Sequence, residues 1–372
     1  MLTFGHIALI VAGVCLVIFV ADAAIRSFVL PRGSVVLLTV AIFRSLRVVL
    51  SLFAPARRGY EARDRVMALY APLALLLLPL TSLVILFFAY TLIFAGLEHH
   101  GWRSALVTSG SSLFTLGFER PPDLPSTFVV FTEAVAGLGL LALVLAYLPT
   151  IYNSFSRREV GVTDLAIRAG TPPTPGQWLI RAHLTGFLYE MDPFWDSWMT
   201  WFTEVRETHT SYGALVFFRS PSPDLSWVTA AGTVLDTAAM RLAVLDIPWT
   251  PNAPLCIRSG YLALRDLAGF FGFDFDDDPA PDAPISVARD EFDEVYDKMR
   301  SRGVPLRADR DQAWNDFAGW RVNYDAVLLT MASFVMAPYT PWVSDRSPRT
   351  PLRHYGWGRR RRAMTRRSPE PR

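Results

Sequence analysis

At 372 residues the chain is long enough for two or three domains, and its apolar content of 51%, concentrated in the first 150 residues, excludes a single evenly built globular core. The net charge of +2 hides a segregation: arginines gather between the first apolar runs and again from Arg346 onward, and Asp274 to Asp297 is acidic. Only Cys15 and Cys256 occur, which excludes both a disulfide framework and a cysteine-based zinc site.

Residues 1–24 contain the first apolar run, Ile7 to Ala24, close to the roughly 20 residues that a membrane-crossing helix needs. Ala21-Asp22-Ala23 resembles a small-residue signal cleavage site. Against cleavage stand the lack of a basic region before the run and an arginine-rich connection after it, which export would put on the wrong side. That connection, residues 25–66, includes Val35 to Phe53 with Arg44 and Arg47. A central arginine costs about 2.5–3.5 kcal/mol on insertion scales, so this stretch is read as an amphipathic helix on the membrane surface.

Residues 67–150 hold two further spans, Met67 to Gly96 and Thr127 to Thr150, the latter despite Glu133. Between them Trp102 to Phe114 reads as a short helix, followed by Thr115 to Glu119. Orientation follows from Arg26, Arg32, Arg44, Arg47, Arg57, Arg58, Arg63 and Arg65, opposed only by Glu61 and Asp64, which make the first connection cytoplasmic. Leu97 to Ser126 then faces outside, the N-terminus is outside, and everything after Thr150 is cytoplasmic. The expected location is the cell membrane, crossed several times.

The stretch Ser111-Ser112-Leu113-Phe114-Thr115-Leu116-Gly117-Phe118 resembles a potassium-channel pore loop, in which backbone carbonyls replace the hydration shell of a cation. The tetrapeptide Thr-Leu-Gly-Phe alone is unspecific. Its place between two spans, on the outer side, after a Ser/Thr-rich helix end, is what carries the likeness. It implies an ion path lined by Thr115 through its hydroxyl and carbonyl, by Leu116, Gly117 and Phe118 through their carbonyls, and by Glu119 at the outer mouth. Gly117 suits a backbone that a Cβ atom disfavours. One loop per chain implies a homotetramer around a cyclic axis, with potassium or another monovalent cation as the permeant ion, no other cofactor and no further metal site.

The likeness extends to Glu133-Ala134-Val135-Ala136-Gly137-Leu138-Gly139, to Tyr147-Leu148-Pro149-Thr150-Ile151-Tyr152, and to Phe155-Ser156-Arg157-Arg158-Glu159. More weakly it includes Glu207-Thr208-His209 and Phe218-Arg219-Ser220-Pro221 with Trp227. On these residues the chain is similar to the bacterial two-pore-domain-like potassium channel or ion channel family, with its two-helix pore module. It departs from that pattern at Glu119-Arg120, where the family has Gly-Asp, so the ion preference stays open.

Ser111, Ser112 and Glu133 are read as supports of the loop, with Glu133 behind it and bonded to a hydroxyl such as that of Ser111 or Ser112. Gly137 and Gly139 are hinge candidates, or serve close helix packing. Pro149 should kink or stop the inner helix where an intracellular gate would sit. His99 and His100 fall on a solvated external turn.

Residues 151–345 read as an all-helical cytosolic domain, with helices near 176–189, 193–208, 224–244, 253–271, 284–302 and 309–336 and with Trp195, Trp198 and Trp201 in its core. The fold class is therefore mainly α: a membrane pore module with an extra N-terminal span and a helical cytosolic domain. No dinucleotide, phosphate or hydrolase motif occurs, and Pro279 spoils the calcium-loop spacing begun by Asp274, Asp276 and Asp278, so no enzyme is expected. Residues 346–372, Arg-rich with several prolines, have the composition of a disordered tail that could lie on anionic lipid; nucleic acid is disfavoured. The competing reading is a non-conducting, membrane-anchored sensory or scaffold protein with a degenerate pore module, for which Glu119 is the main support.

Overall fold

The computed structural model describes residues 4–29, 36–53, 59–97 and 101–346. Val35, His99, His100 and the tail from residue 347 lie outside them. The chain is mainly helical, as expected, and no strand occurs among the described residues; an isolated antiparallel bridge joins Leu245 to Leu306. It divides into two compact units, residues 1–167 with 207–227, and 168–206 with those from 228 onward.

The first unit begins with α1 (Phe4–Ala24), which continues into a π-helical turn (Ile25–Val29), followed by α2 (Leu37–Phe53), α3 (Tyr60–Ala68), α4 (Tyr70–Leu97), α5 (Trp102–Leu113) and α6 (Leu124–Ala169). Three stretches, Phe4–Phe28, Tyr60–Leu97 and Leu124–Ala169, are long and apolar enough to cross a membrane. A helix satisfies all its own backbone groups, which hydrocarbon cannot do. α1 and α4 meet through glycine: a Cβ on Gly96 would lie 2.7 Å from the His6 carbonyl oxygen, so the two backbones touch there. In α2, Leu38, Phe43, Leu46 and Leu50 form the buried stripe at helical spacing, and Tyr70 donates its hydroxyl to the Phe43 carbonyl at 3.1 Å.

α6 corrects one expectation. It runs 46 residues and continues beyond Pro149, about 69 Å at about 1.5 Å per residue, more than twice the hydrocarbon thickness of about 30 Å. The helix does not stop at Pro149, and the chain divides at 167 and not at 150. Proline inside a helix costs about 3 kcal/mol, but Ile151, Ser154, Arg158, Val162 and Leu165 continue a buried stripe beyond it, and each large apolar side chain so buried returns about 1.5–3 kcal/mol. Packing outweighs the lost bond.

The second unit contains α7 (Pro175–Leu184), most of α8 (Asp192–Ser211), α9 (Trp227–Val244), α10 (Asn252–Phe270), α11 (Arg289–Ser301), α12 (Arg310–Arg321) and α13 (Asp325–Val335). Trp195, Trp198 and Trp201 are buried as expected. The helix expected over 309–336 is two helices. Asn323 donates its side-chain amide to the carbonyls of Gly319 and Trp320, closing α12, and Arg265 donates to the Asn323 carbonyl at 2.8 Å. α7 ends earlier than 189 because Gly186 turns the chain at φ 76°. α11 begins at Arg289 and not at 284, where the Glu291 carboxylate accepts the Ala288 N–H at 2.8 Å.

At the centre of this unit Arg321 is fully buried. It donates to both carboxylate oxygens of Asp236 at 2.5 Å, to Asp325 at 2.7 Å and to the Trp342 carbonyl at 2.5 Å, and Tyr324 donates to Asp236 at 2.8 Å. The ion pair keeps the guanidinium protonated against the cost of its burial.

Candidate pore loop and inner-helix exit

α5 carries the loop. Its buried residues, Ala105, Thr108, Ser109, Ser111, Ser112 and Leu113, are rich in hydroxyls, and those of Ser109, Ser111 and Ser112 have distinct uses. Ser109 donates to Glu133 Oε1 at 2.6 Å and lies 3.0 Å from the Phe87 carbonyl oxygen; Ser112 donates to the Val130 carbonyl at 2.8 Å. The α5 hydroxyl that Glu133 bonds is foremost that of Ser109, with Ser112 beside it. Residues three apart share one face of a helix, so Ser109 and Ser112 meet Glu133 and Val130 on α6, and Ser111 points elsewhere. Glu133 is fully buried, and its second oxygen has no hydrogen-bond partner.

Ser111 organises the loop. Its carbonyl accepts the N–H of Leu116 at 2.8 Å and that of Gly117 at 3.4 Å, and its hydroxyl oxygen accepts the N–H of Phe118 at 3.1 Å and that of Glu119 at 3.3 Å. Four successive N–H groups thus converge on one residue. In a planar trans peptide the C=O of residue i points opposite to the N–H of residue i+1. The carbonyls of Thr115, Leu116, Gly117 and Phe118 therefore all turn away from Ser111, toward a common side.

This ribbon needs an unusual backbone. Thr115 has φ 55° and Gly117 φ 70°, both left-handed and two residues apart. Glycine accepts that region freely, whereas a β-branched residue there is strained, at a cost of about 1–3 kcal/mol. The Thr115 hydroxyl donates to the Phe114 carbonyl at 2.8 Å. Glu119 stays out of the left-handed region. After the loop Asp123 caps α6: its carboxylate accepts the Ser126 N–H at 2.9 Å, which holds that carboxyl below its ordinary range.

The two glycines of α6 differ. A Cβ on Gly137 would lie 2.7 Å from the Leu113 carbonyl oxygen, so this glycine lets α6 approach the end of α5, whereas nothing lies within 4 Å of a Cβ on Gly139.

A second cluster lies where α6 leaves the apolar stretch. Residues 207–227 return to the first unit as a strap with a 3-10 turn (Gly213–Phe217). Tyr147 packs edge-on against Tyr212 at 5.5 Å, Phe155 lies 5.4 Å from Phe218, and Phe217 lies 5.2 Å from Tyr70. Arg158, 2% exposed, pairs with Glu159 at 2.7 Å and donates to the carbonyls of Leu215 and Phe218, each at 2.8 Å. It also contacts His209 Nε2 at 3.0 Å, and its guanidinium faces the ring of Trp227. Farther along, Arg219 binds Asp64 and Tyr60 of α3. The strap thus fastens the base of α4 to α6. Nothing in the local sequence announces it, since Arg158 and Leu215 are 57 positions apart. No group of three or more potential metal ligands occurs among the described residues.

Comparison with known proteins adds no identification: no family model, no curated protein and no solved structure matches the chain.

Proposed function

We propose that this chain is the subunit of a homotetrameric cation channel of the cell membrane, with one pore loop per chain and potassium as its permeant ion. The observation that carries the reading is the convergence of four loop N–H groups on Ser111, which leaves the carbonyls of Thr115 to Phe118 on one side, free for a cation. Such backbone within a membrane must be covered by protein or line a polar path, and one chain alone leaves Leu116 and Phe118 each 62% exposed.

α6 supports assembly. Phe128, Phe131, Val135, Leu138, Ala142, Leu145, Pro149 and Tyr152 are all exposed and follow one another at spacings of three and four, an apolar seam fit for other copies of the chain. Its most apolar stretch buries only 17% of its residues inside the chain, against 44% for that of Tyr60–Leu97, which leaves α6 to be covered by neighbours and lipid. In this reading the loop faces outside, the strap and the second unit are cytoplasmic, and the arginine-rich tail lies near anionic headgroups. The resemblance to bacterial two-pore-domain-like channels points the same way.

A second reading, a non-conducting anchored sensor or scaffold, draws on Glu119. It replaces the last glycine of the pattern and does not adopt a left-handed backbone, so the outermost carbonyl ring would differ from a potassium filter. Potassium flux through liposomes holding the purified protein separates the two. The channel reading expects flux that Gly117→Asp abolishes; a tetramer that passes no potassium favours the second.

A further inference from the structure

We propose that a cavity between α1, α4 and α6 is a binding site for the acyl chain of a membrane lipid. The cavity holds about 210 Å³, and the residues around it, among them Val17, Val20, Leu86, Leu140 and Leu143, are all glycine, alanine, valine, leucine or isoleucine. Half of them lie between positions 17 and 25, in α1 and the turn after it, outside the pore module. Gly139 opens onto the cavity, and a Cβ there would meet nothing within 4 Å. Val20, Leu86 and Leu140 are buried and wall it, whereas Ala21, Ile25 and Gly139 are exposed and mark its open side.

Chemistry and depth choose the occupant. Aliphatic side chains offer no hydrogen-bond donor or acceptor, and the helices pair their own backbone groups, so a polar ligand gains no partner there. A dry aliphatic cavity of about 150 Å³ takes up benzene or xenon; this larger one has room for the end of an unbranched chain. Gly139 lies midway between Thr127 and Thr150, about 15 Å from either edge of a hydrocarbon core about 30 Å thick. Acyl chains reach that depth and headgroups do not, and a chain seated there supplies dispersion contacts to the walls. A second copy of the chain is the rival occupant, and the geometry of α6 opposes it. At about 100° per residue, Ala136, Leu140 and Leu143 lie nearly opposite Leu138, Ala142 and Leu145 of the exposed seam, so a copy docked on the seam leaves the cavity uncovered. The lipid chain wedges α1 against α6 beside Gly139 and so limits how far α6 can bend at that glycine. The consequence for conduction rests on the channel reading; the occupancy rests only on these helices crossing the membrane.

Photolabelling of the full-length protein in lipid nanodiscs tests the site, with a phosphatidylcholine that carries a diazirine near the methyl end of one acyl chain. In the wild type, adducts mapped by mass spectrometry should concentrate on residues 17–25 and 136–143, above their density on the exposed Leu80, Val84 and Phe88 of α4. Gly139→Leu, whose side chain enters the cavity, and Ala21→Leu, which narrows it from the α1 side, should each lose most of those adducts and keep the ones on α4. Adducts on the lining no denser than on α4, or undiminished in either folded variant, overturn the site. So does a lining without adducts, as a second copy packed there would leave it. Where a variant does not fold, the other and the wild-type pattern decide. Potassium flux through liposomes separates the two proposals: adducts on the lining of a tetramer that passes no potassium uphold the site and refute the channel, and flux without those adducts does the reverse.

Discussion

Ser109 and Glu133 are joined by a 2.6 Å hydrogen bond that fastens α5 to α6 beneath the loop, although the two residues come from helices on opposite sides of it. The single hydroxyl proton of Ser109 serves two oxygens, Glu133 Oε1 and the Phe87 carbonyl at 3.0 Å, while Glu133 Oε2 has no hydrogen-bond partner. An amide that can itself donate relieves this shortage. Glu133→Gln should therefore stay within about 1 kcal/mol of the wild type, whereas Glu133→Ala should lose about 1–3 kcal/mol and weaken the loop. Chemical unfolding in detergent, read alongside flux, checks the order; equal losses would refute the fastening role.

Gly137 and Gly139 separate packing from bending. Alanine at 137 drives a Cβ to 2.7 Å from the Leu113 carbonyl, so α5 or α6 must shift, at about 1–3 kcal/mol. Alanine at 139 meets nothing within 4 Å and gains up to about 1 kcal/mol of helix propensity. Thermal unfolding of the two variants should differ in sign. If Gly139→Ala keeps stability but loses flux, bending at 139 is part of gating.

Arg321 is the polar centre of the second unit. Arg321→Met leaves Asp236 buried without its cation and should cost about 3–5 kcal/mol, while Arg321→Met with Asp236→Asn should recover part of that loss. A double-mutant cycle by urea unfolding gives the coupling, and strictly additive losses would contradict it.

Cys256 sits fully buried in α10, and burial pushes its thiol well above the ordinary range. In a Cys15→Ser background, maleimide labelling of the remaining thiol should follow the unfolding curve of the second unit. Rapid labelling under native conditions would contradict the burial.

What the sequence revealed and what it concealed divide along the range of the interactions. Met67 to Gly96 was legible as a long apolar helix because the run is uncharged throughout, and it forms Tyr70–Leu97 of α4; the short helix before the loop was legible to within a residue, Trp102 to Leu113. Gly117 was legible because it is the only glycine in the loop. The role of Ser111 was only half visible: its hydroxyl was expected among the supports, but that two N–H groups would meet that hydroxyl and two more its carbonyl depends on the backbone turning at Thr115, a β-branched residue that local preference would not place there. A stop at Pro149 was the wrong half of the expectation, because that local rule lost to packing along the following turns of α6. The break at Asn323 contains neither glycine nor proline and is made by Arg265 from a distant helix. The strap escaped for the same reason.

The most direct test of the central claim is the reversal potential across a planar bilayer with potassium chloride at unequal concentrations, for the wild-type tetramer and for Ser111→Ala. The variant keeps the Ser111 carbonyl but removes the oxygen that holds the N–H groups of Phe118 and Glu119. A channel lined by the carbonyls of Thr115 to Phe118 predicts a wild-type reversal potential close to the potassium equilibrium value, and a shift toward zero or a loss of current in Ser111→Ala. No current from a verified tetramer, or a reversal potential indifferent to Ser111→Ala, would contradict it.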